Sequence, residues 1–233
     1  MPEKVCVVAG VGPGNGTALT RRFAREGFRV AMLARSVDRL EKLEAEIPNA
    51  KGYAIDIAER EAVVETFGRI RAELGPVEVL VHNAAGGAFN GFMDLEPETL
   101  ELTFRINMMS LLHCGQAAVP QMLERDGGAI VVIGNTSAWR GKASYAGFAP
   151  TKAGQRILAQ SMARGLGPQG IHVAYIVVDA VIDVPWARQM FKDRPDDFFA
   201  QPDAIADTVW NVVHQDRSAW SFEVDLRPFG ESW

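Results

Sequence analysis

Apolar runs of strand length recur along the chain, and each is followed by a longer stretch whose apolar positions return at helical spacing. KVCVVAG (4–10), FRVAMLAR (28–35), GYAIDI (52–57), VEVLVHNAAGG (77–87), AIVVIG (129–134), IHVAYIVV (171–178) and SFEVDL (221–226) are the runs. The intervening stretches include TALTRRFAREG, VDRLEKLEAEI, AEREAVVETFGRIRAELG, a long one from Pro97 to Gly128, one after the turn-rich NTSAWRGKAS, and PDAIADTVWNVVHQ. Their spacing predicts strands and helices in alternation. Such alternation implies parallel β-α-β units with right-handed crossovers, and so an α/β fold: a doubly wound, Rossmann-type parallel sheet of about seven strands with helices on both faces. In the long stretch Pro97 suits a first helical turn and Pro120 is expected to kink the far end. The helix after NTSAWRGKAS is expected to begin near Tyr145.

Composition narrows the class. A chain of 233 residues with 48% hydrophobic content can bury a sizeable core, and no shift in composition marks a linker, so one domain is expected over 1–233. Cys6 and Cys114 lack metal-ligand or redox spacing, and His82, His113, His172 and His214 form no i, i+4 pair, so no metal is expected and a reducing compartment suits the chain. MPEKVCVVAG carries no long apolar leader, and nowhere do eighteen apolar residues run together; a soluble, cytoplasmic protein is expected. With a net charge of -5 and no basic block, there is no electrostatic footprint for nucleic acid or an anionic membrane.

In an open α/β sheet the ligand crevice lies at the carboxyl ends of the strands, where strand order reverses. Gly10, Gly14 and Gly16 follow the first strand and open the first helix with the spacing G-x-x-x-G-x-G, which permits a tight turn and lets backbone N–H groups approach a pyrophosphate. A carboxylate ending the second strand would accept hydrogen bonds from an adenosine ribose; this chain has Arg35 with Ser36, and a guanidinium matches phosphate geometry, so NADP(H) is the expected cofactor. Asp56, Asn83, Asn135 and Lys152 also fall at or just after strand ends. Phe148 and Lys152 are four apart and share a helix face; taken by itself such a lysine reads as a charge snorkelling past the core.

Over essentially its full length the chain resembles the short-chain dehydrogenase/reductase family, through the glycine spacing, Asp56, HNAAG at 82–86, Asn107 in the long helix and Lys152. The resemblance implies that Gly10, Gly14 and Gly16 hold the pyrophosphate, that Asp56 meets the adenine, and that Asn83 steadies the fourth strand and the cofactor. His82 and Ala85 depart from the family's N-N-A-G. The family's chemistry uses a serine, a Y-x-x-x-K pair and an asparagine, the lysine binding the ribose and lowering the phenol pKa from about 10. Lys152 and Asn107 are kept, but Phe148 stands at the tyrosine position and Asn135 at the serine position. Asn135 can offer an amide N–H to a carbonyl, whereas Phe148 has no proton to give. Tyr145, seven residues before Lys152, is expected about two turns away along the same helix. The family's P-G-x-x-x-T is replaced by D-A-V-I-D-V, leaving the backbone of Ile182 to hold the carboxamide and adding Asp179 and Asp183, read first as solvated loop charges.

These residues leave three readings. The first is an NADPH-dependent oxidoreductase with a non-standard site, its proton coming from a water, Asp183 or Tyr145, or its substrate needing none there, as with an iminium or a conjugated alkene. The second is an NADP(H)-binding protein without catalysis, acting as a sensor or interaction module. A lyase or dehalogenase on the same scaffold ranks last, because it leaves the glycine loop and Arg35 unexplained. A lid is expected at about 183–200, and the pattern fits two roles for Trp186, Met190, Phe191, Phe198 and Phe199 equally: the wall of an apolar pocket for a small hydrophobic substrate, or a helix packing on the core. RPFGESW at the C-terminus, ending in Trp233, is expected to pack on the body or another subunit, and the resemblance implies a homodimer or homotetramer.

Overall fold

Strand β1 (Val5–Ala9) alternates its side chains between two cores: Val5, Val7 and Ala9 enter one, Cys6 and Val8 the other, as the two-residue period of a strand requires. The computed structural model describes residues 4–230. β1 is the third strand, beside the central β4, of a seven-stranded, all-parallel sheet ordered β3-β2-β1-β4-β5-β6-β9. The other strands are β2 (Arg29–Ala34), β3 (Ala50–Ala54), β4 (Val77–His82), β5 (Gly128–Asn135), β6 (Ile171–Val178) and β9 (Glu223–Leu226). A separate two-stranded parallel pair, β7 (Val181–Ile182) and β8 (Phe199–Ala200), belongs to the lid.

Helices cover both faces. One core receives Val63 and Phe67 from α3 (Arg60–Leu74), Leu111 and Cys114 from α5 (Ser110–Leu123) and Ala159 from α6 (Ala149–Leu166). The other receives Leu19 and Phe23 from α1 (Asn15–Arg25), Leu40 and Leu43 from α2 (Val37–Glu46), and Ile205 and Val209 from α8 (Pro202–Val213). Strand order reverses between β1 and β4, which opens the crevice at their carboxyl ends. Among the described residues no helix is long and apolar enough to cross a membrane, and no cluster of candidate metal ligands occurs.

Two helices differ from the sequence expectation. The long stretch is α4 (Pro97–Phe104), a π turn (Arg105–Met109) and α5, and α5 continues through Pro120 to Leu123. The departure from α geometry therefore falls around Asn107, where a widened turn leaves a backbone carbonyl for a partner outside the helix. The helix carrying Lys152 begins at Ala149, with Phe148 as its N-cap residue and Pro150 in its first turn; Tyr145 sits in a separate 3-10 turn, Ala143–Tyr145. A proline in a first turn is tolerated because its missing N–H has no helical partner there, but it stops the helix from extending upstream.

Candidate active site

The reversal point forms a cleft of about 490 Å³ that draws on the glycine loop, the ends of β2, β3 and β4, and the lid. Gly10 has φ +96°, and a Cβ there would lie 2.5 Å from the backbone of Ala84; one on Gly16 would lie 2.6 Å from the Gly10 carbonyl oxygen. Neither position accepts a side chain. The loop delivers the chain into α1, whose N-terminus has no side-chain cap and no acidic residue in its first turn, so its N–H groups suit an anion. Asn83 fixes the loop from the neighbouring strand: its backbone N–H donates to Ala9 at 2.8 Å and its Nδ2 to the Gly10 carbonyl at 2.7 Å.

Arg35, Ser36 and Arg39 line the cleft where β2 gives way to α2. Ser36 caps α2 by accepting from the Arg39 N–H at 3.4 Å. Arg39 is a second guanidinium at this end of the cleft that sequence reasoning missed, although its spacing of four from Arg35 put both within one turn of the helix start. Asp56 lines the same end, its Oδ1 accepting from the Ala58 N–H at 3.0 Å. Ile182, Val184 and Trp186 close the far side, and a Cβ on Gly14 would lie 2.5 Å from Val184 Cγ1, so glycine loop and lid are in contact.

Lys152 and Asn107 lie behind the cleft. Lys152 is 1% exposed, and its Nζ donates to the Ile133 carbonyl at 3.2 Å and to Gln155 Oε1 at 2.5 Å. Burial pushes its pKa down to about 7. Asn107 is fully buried and exchanges hydrogen bonds with the Gly86 backbone, its Oδ1 accepting at 2.8 Å and its Nδ2 donating at 3.0 Å, while Nδ2 also donates to Thr151 Oγ1 at 2.8 Å. His82 meets Ser110 Oγ at 2.7 Å; burial, and then the nearby Lys152, push its pKa down to about 3. Ser110 and Gln155 were not singled out from sequence. Their signal was a polar side chain at an inward helical position, read easily only once the core is known.

Asn135 ends β5, with its Oδ1 accepting from the Ser137 N–H at 3.0 Å. Phe148 is 6% exposed, under the rings of Phe89 and Tyr145 with centroids 5.2 and 6.2 Å away. Tyr145 is thus a ring neighbour of Phe148 ahead of the helix, and not a residue two turns along it. Asp183 is no loose charge: Arg188 grips both its carboxylate oxygens at 2.7 Å, and Gln201 Nε2 donates to it at 3.0 Å. Those bonds, Arg188 foremost, hold its carboxyl below the usual range. Asp179 pairs with Arg140 at 3.6 Å and Arg227 at 3.8 Å. The expected apolar wall divides as well. Trp186 lines the cleft and Met190 is exposed, but Phe191, Phe198 and Phe199 pack with Val184 and Ala187 into a small core of the lid's own. Phe229 is exposed; Trp233 lies outside the described residues.

This geometry joins a dinucleotide-shaped groove to a buried polar floor. The family model for short chain dehydrogenases matches residues 4–194, and the chain belongs to that family. D-erythrulose reductase of Gallus gallus is 32% identical over 168 residues, covering 72% of this chain and 67% of the relative. Carbonyl reductase [NADPH] 2 of Sus scrofa is 28% identical over 225 residues, 91% of this chain and 89% of the relative. A metagenomic short-chain oxidoreductase solved in complex with NADP superposes with a TM-score of 0.84 at 26% identity, covering 97% of each chain.

Proposed function

We propose that the protein is an NADP(H)-dependent oxidoreductase acting on a small apolar molecule through a non-standard active site. The observation that carries the reading is the cleft, in which a side-chain-free glycine loop at an uncapped helix N-terminus meets Arg35 and Arg39 at the adenosine end. The solved relative bound to NADP and the relative named for NADPH support the same cofactor. Gly10, Gly14 and Gly16 would take the pyrophosphate, Arg35 and Arg39 the 2′-phosphate, Asp56 and Asn83 the adenine side and the strand end, and the Ile182 backbone the carboxamide. Once bound, the nicotinamide supplies two-electron redox chemistry. The chain itself supplies a polar amide at Asn135, a positive charge behind the floor at Lys152, a rigid backbone at Asn107, and an apolar surface from Phe148, Phe89 and Trp186 that limits water.

Phe148 supports a second reading, an NADP(H)-binding sensor or interaction module, since a buried phenyl stands where the family's proton donor belongs. Titration by calorimetry with NADPH and NADH, followed by Phe148→Tyr assayed on a panel of ketones, separates the readings. Tighter binding of NADPH is expected, with carbonyl reduction rising on the order of 10²-fold or more in the variant, the usual worth of a placed general acid. Failure of both cofactors to bind refutes the oxidoreductase and the sensor alike. We also read the protein as a cytoplasmic homodimer or homotetramer: the cysteines are free and buried, and Val64, Leu123 and Ile157 are exposed on α3, α5 and α6. Sedimentation of the purified chain tests the assembly.

A further inference from the structure

We propose that Gln155 is a positioning residue whose single amide holds the Lys152 side chain behind the cleft and couples it to the π turn and to the end of β4. The bonds leave that amide one orientation. Gln155 Nε2 donates to the Asn107 carbonyl at 2.6 Å and faces His82 Nδ1 at 3.4 Å, so both its protons are directed at acceptors and Oε1 is left for Lys152. His82 Nδ1 accepts, so its Nε2 carries the proton and donates to Ser110 Oγ at 2.7 Å; Ser110 in turn donates to the Ile106 carbonyl at 2.5 Å. The chain of donors and acceptors closes without a carboxylate.

Turning the amide over would aim two N–H groups at an amine and a carbonyl oxygen at another carbonyl. All the participating side chains are buried: Gln155, His82, Asn107 and Ser110 at 0%, Lys152 at 1%. Lys152 has two acceptors, the Ile133 carbonyl and Gln155 Oε1. Those match the two N–H groups of a neutral amine, and an ammonium would bring a third. Among the described residues, His82 is the other titratable side chain packed against it, held neutral by burial. The lone amide of Gln155 therefore governs how readily Lys152 holds its extra proton, and with it the positive charge offered to the cleft. This part rests on the NADP(H) reading, because an anionic dinucleotide is the ligand that would favour the charged form.

The test uses the whole protein, labelled with 13C at the lysine ε-carbon, in wild-type, Gln155→Glu and Gln155→Met forms. Magnetic resonance follows the Lys152 resonance against pH without cofactor, and calorimetry follows NADPH affinity against pH. In the wild type the resonance should titrate near neutrality. Gln155→Glu, of the same shape, sets a carboxylate beside the amine and should move the midpoint up by a pH unit or more; Gln155→Met removes the acceptor and should move it down. NADPH affinity should weaken as pH rises through the same midpoint in each protein. A midpoint common to all three proteins overturns the positioning role, and so does loss of thermal stability in the variants with no shift in the midpoint. Binding of NADPH that ignores pH while the resonance moves overturns the coupling to the cleft. If NADPH fails to bind at any pH, the cofactor reading falls, and the cofactor-free titration still decides the role of Gln155.

Discussion

His82 and Lys152 are basic side chains buried without a carboxylate against them, and their effects on stability run over different pH windows. His82 titrates near 3 in the folded chain against an ordinary 6.5. Between those values the unfolded chain binds the extra proton, so the contribution of His82 is steady above about pH 6.5 and stability falls as pH drops toward 3. Lys152, near 7 against 10.5, has the same sign in a higher window: the unfolded chain holds a proton the folded one releases, so stability rises from about pH 7 toward 10. At about 1.4 kcal/mol per unit, each full window is worth a few kcal/mol. Melting temperatures from pH 4 to 10 should show a falling acid limb that flattens in His82→Asn, and an alkaline rise that Lys152→Met removes. The cleft residues of this scale were legible in the sequence because each of Gly10, Arg35, Asp56 and Asn83 follows an apolar run directly. Gln155 was not, because its partner carbonyl at Asn107 lies 48 positions away and is exposed by a local helix defect that no periodicity marks.

Helices and strands were legible wherever an apolar stripe of fixed period ran long enough, which covers all seven strands of the main sheet. The π turn escaped because one extra residue in a turn changes a hydrogen-bond ladder without disturbing the apolar stripe on either side. The start of α6 was placed too early because the 3-10 turn and the cap occupy the same few residues that a helix would. The lid shows a different limit: its aromatics fitted a pocket wall as well as a helix packing on the core, and Phe191, Phe198 and Phe199 instead join a small core of the lid's own. Arg188 joins Asp183 to Asp196 and lies over the Phe199 ring at 4.1 Å, tying α7 (Pro185–Met190) to the β7–β8 pair. The pairs are part exposed, so Asp183→Ala should cost under about 1 kcal/mol of global stability. Amide exchange across 185–198 should nonetheless accelerate, and NADPH affinity should drop several-fold. Unchanged exchange would show that the apolar contacts alone hold the lid.

At the scale of the molecule, the groove spans residues from Gly10 to Trp186, so a bound dinucleotide bridges most of the chain. Ligand at a hundred times its dissociation constant stabilises a fold by about 2.7 kcal/mol, a rise of about 5 to 10 °C in melting temperature for a chain of this length. NADPH should produce that rise, and Arg35→Glu should abolish it while leaving the ligand-free melting temperature within a degree or two.

The strand order also sets an assembly sequence. β1 pairs with β2 and, past it in the chain, with β4, so the half of the sheet ordered β3-β2-β1-β4 is available once the first 82 residues exist. β4 then presents a bare apolar edge until Gly128–Asn135 has been made, and the lid strands arrive later still. A chain emerging from the ribosome would hold the pyrophosphate end of its groove, with a sticky flank, well before it could close the site. Non-local parallel pairing of this kind folds slowly, and the exposed flank is where a nascent chain of this protein would engage a chaperone or a second copy of itself.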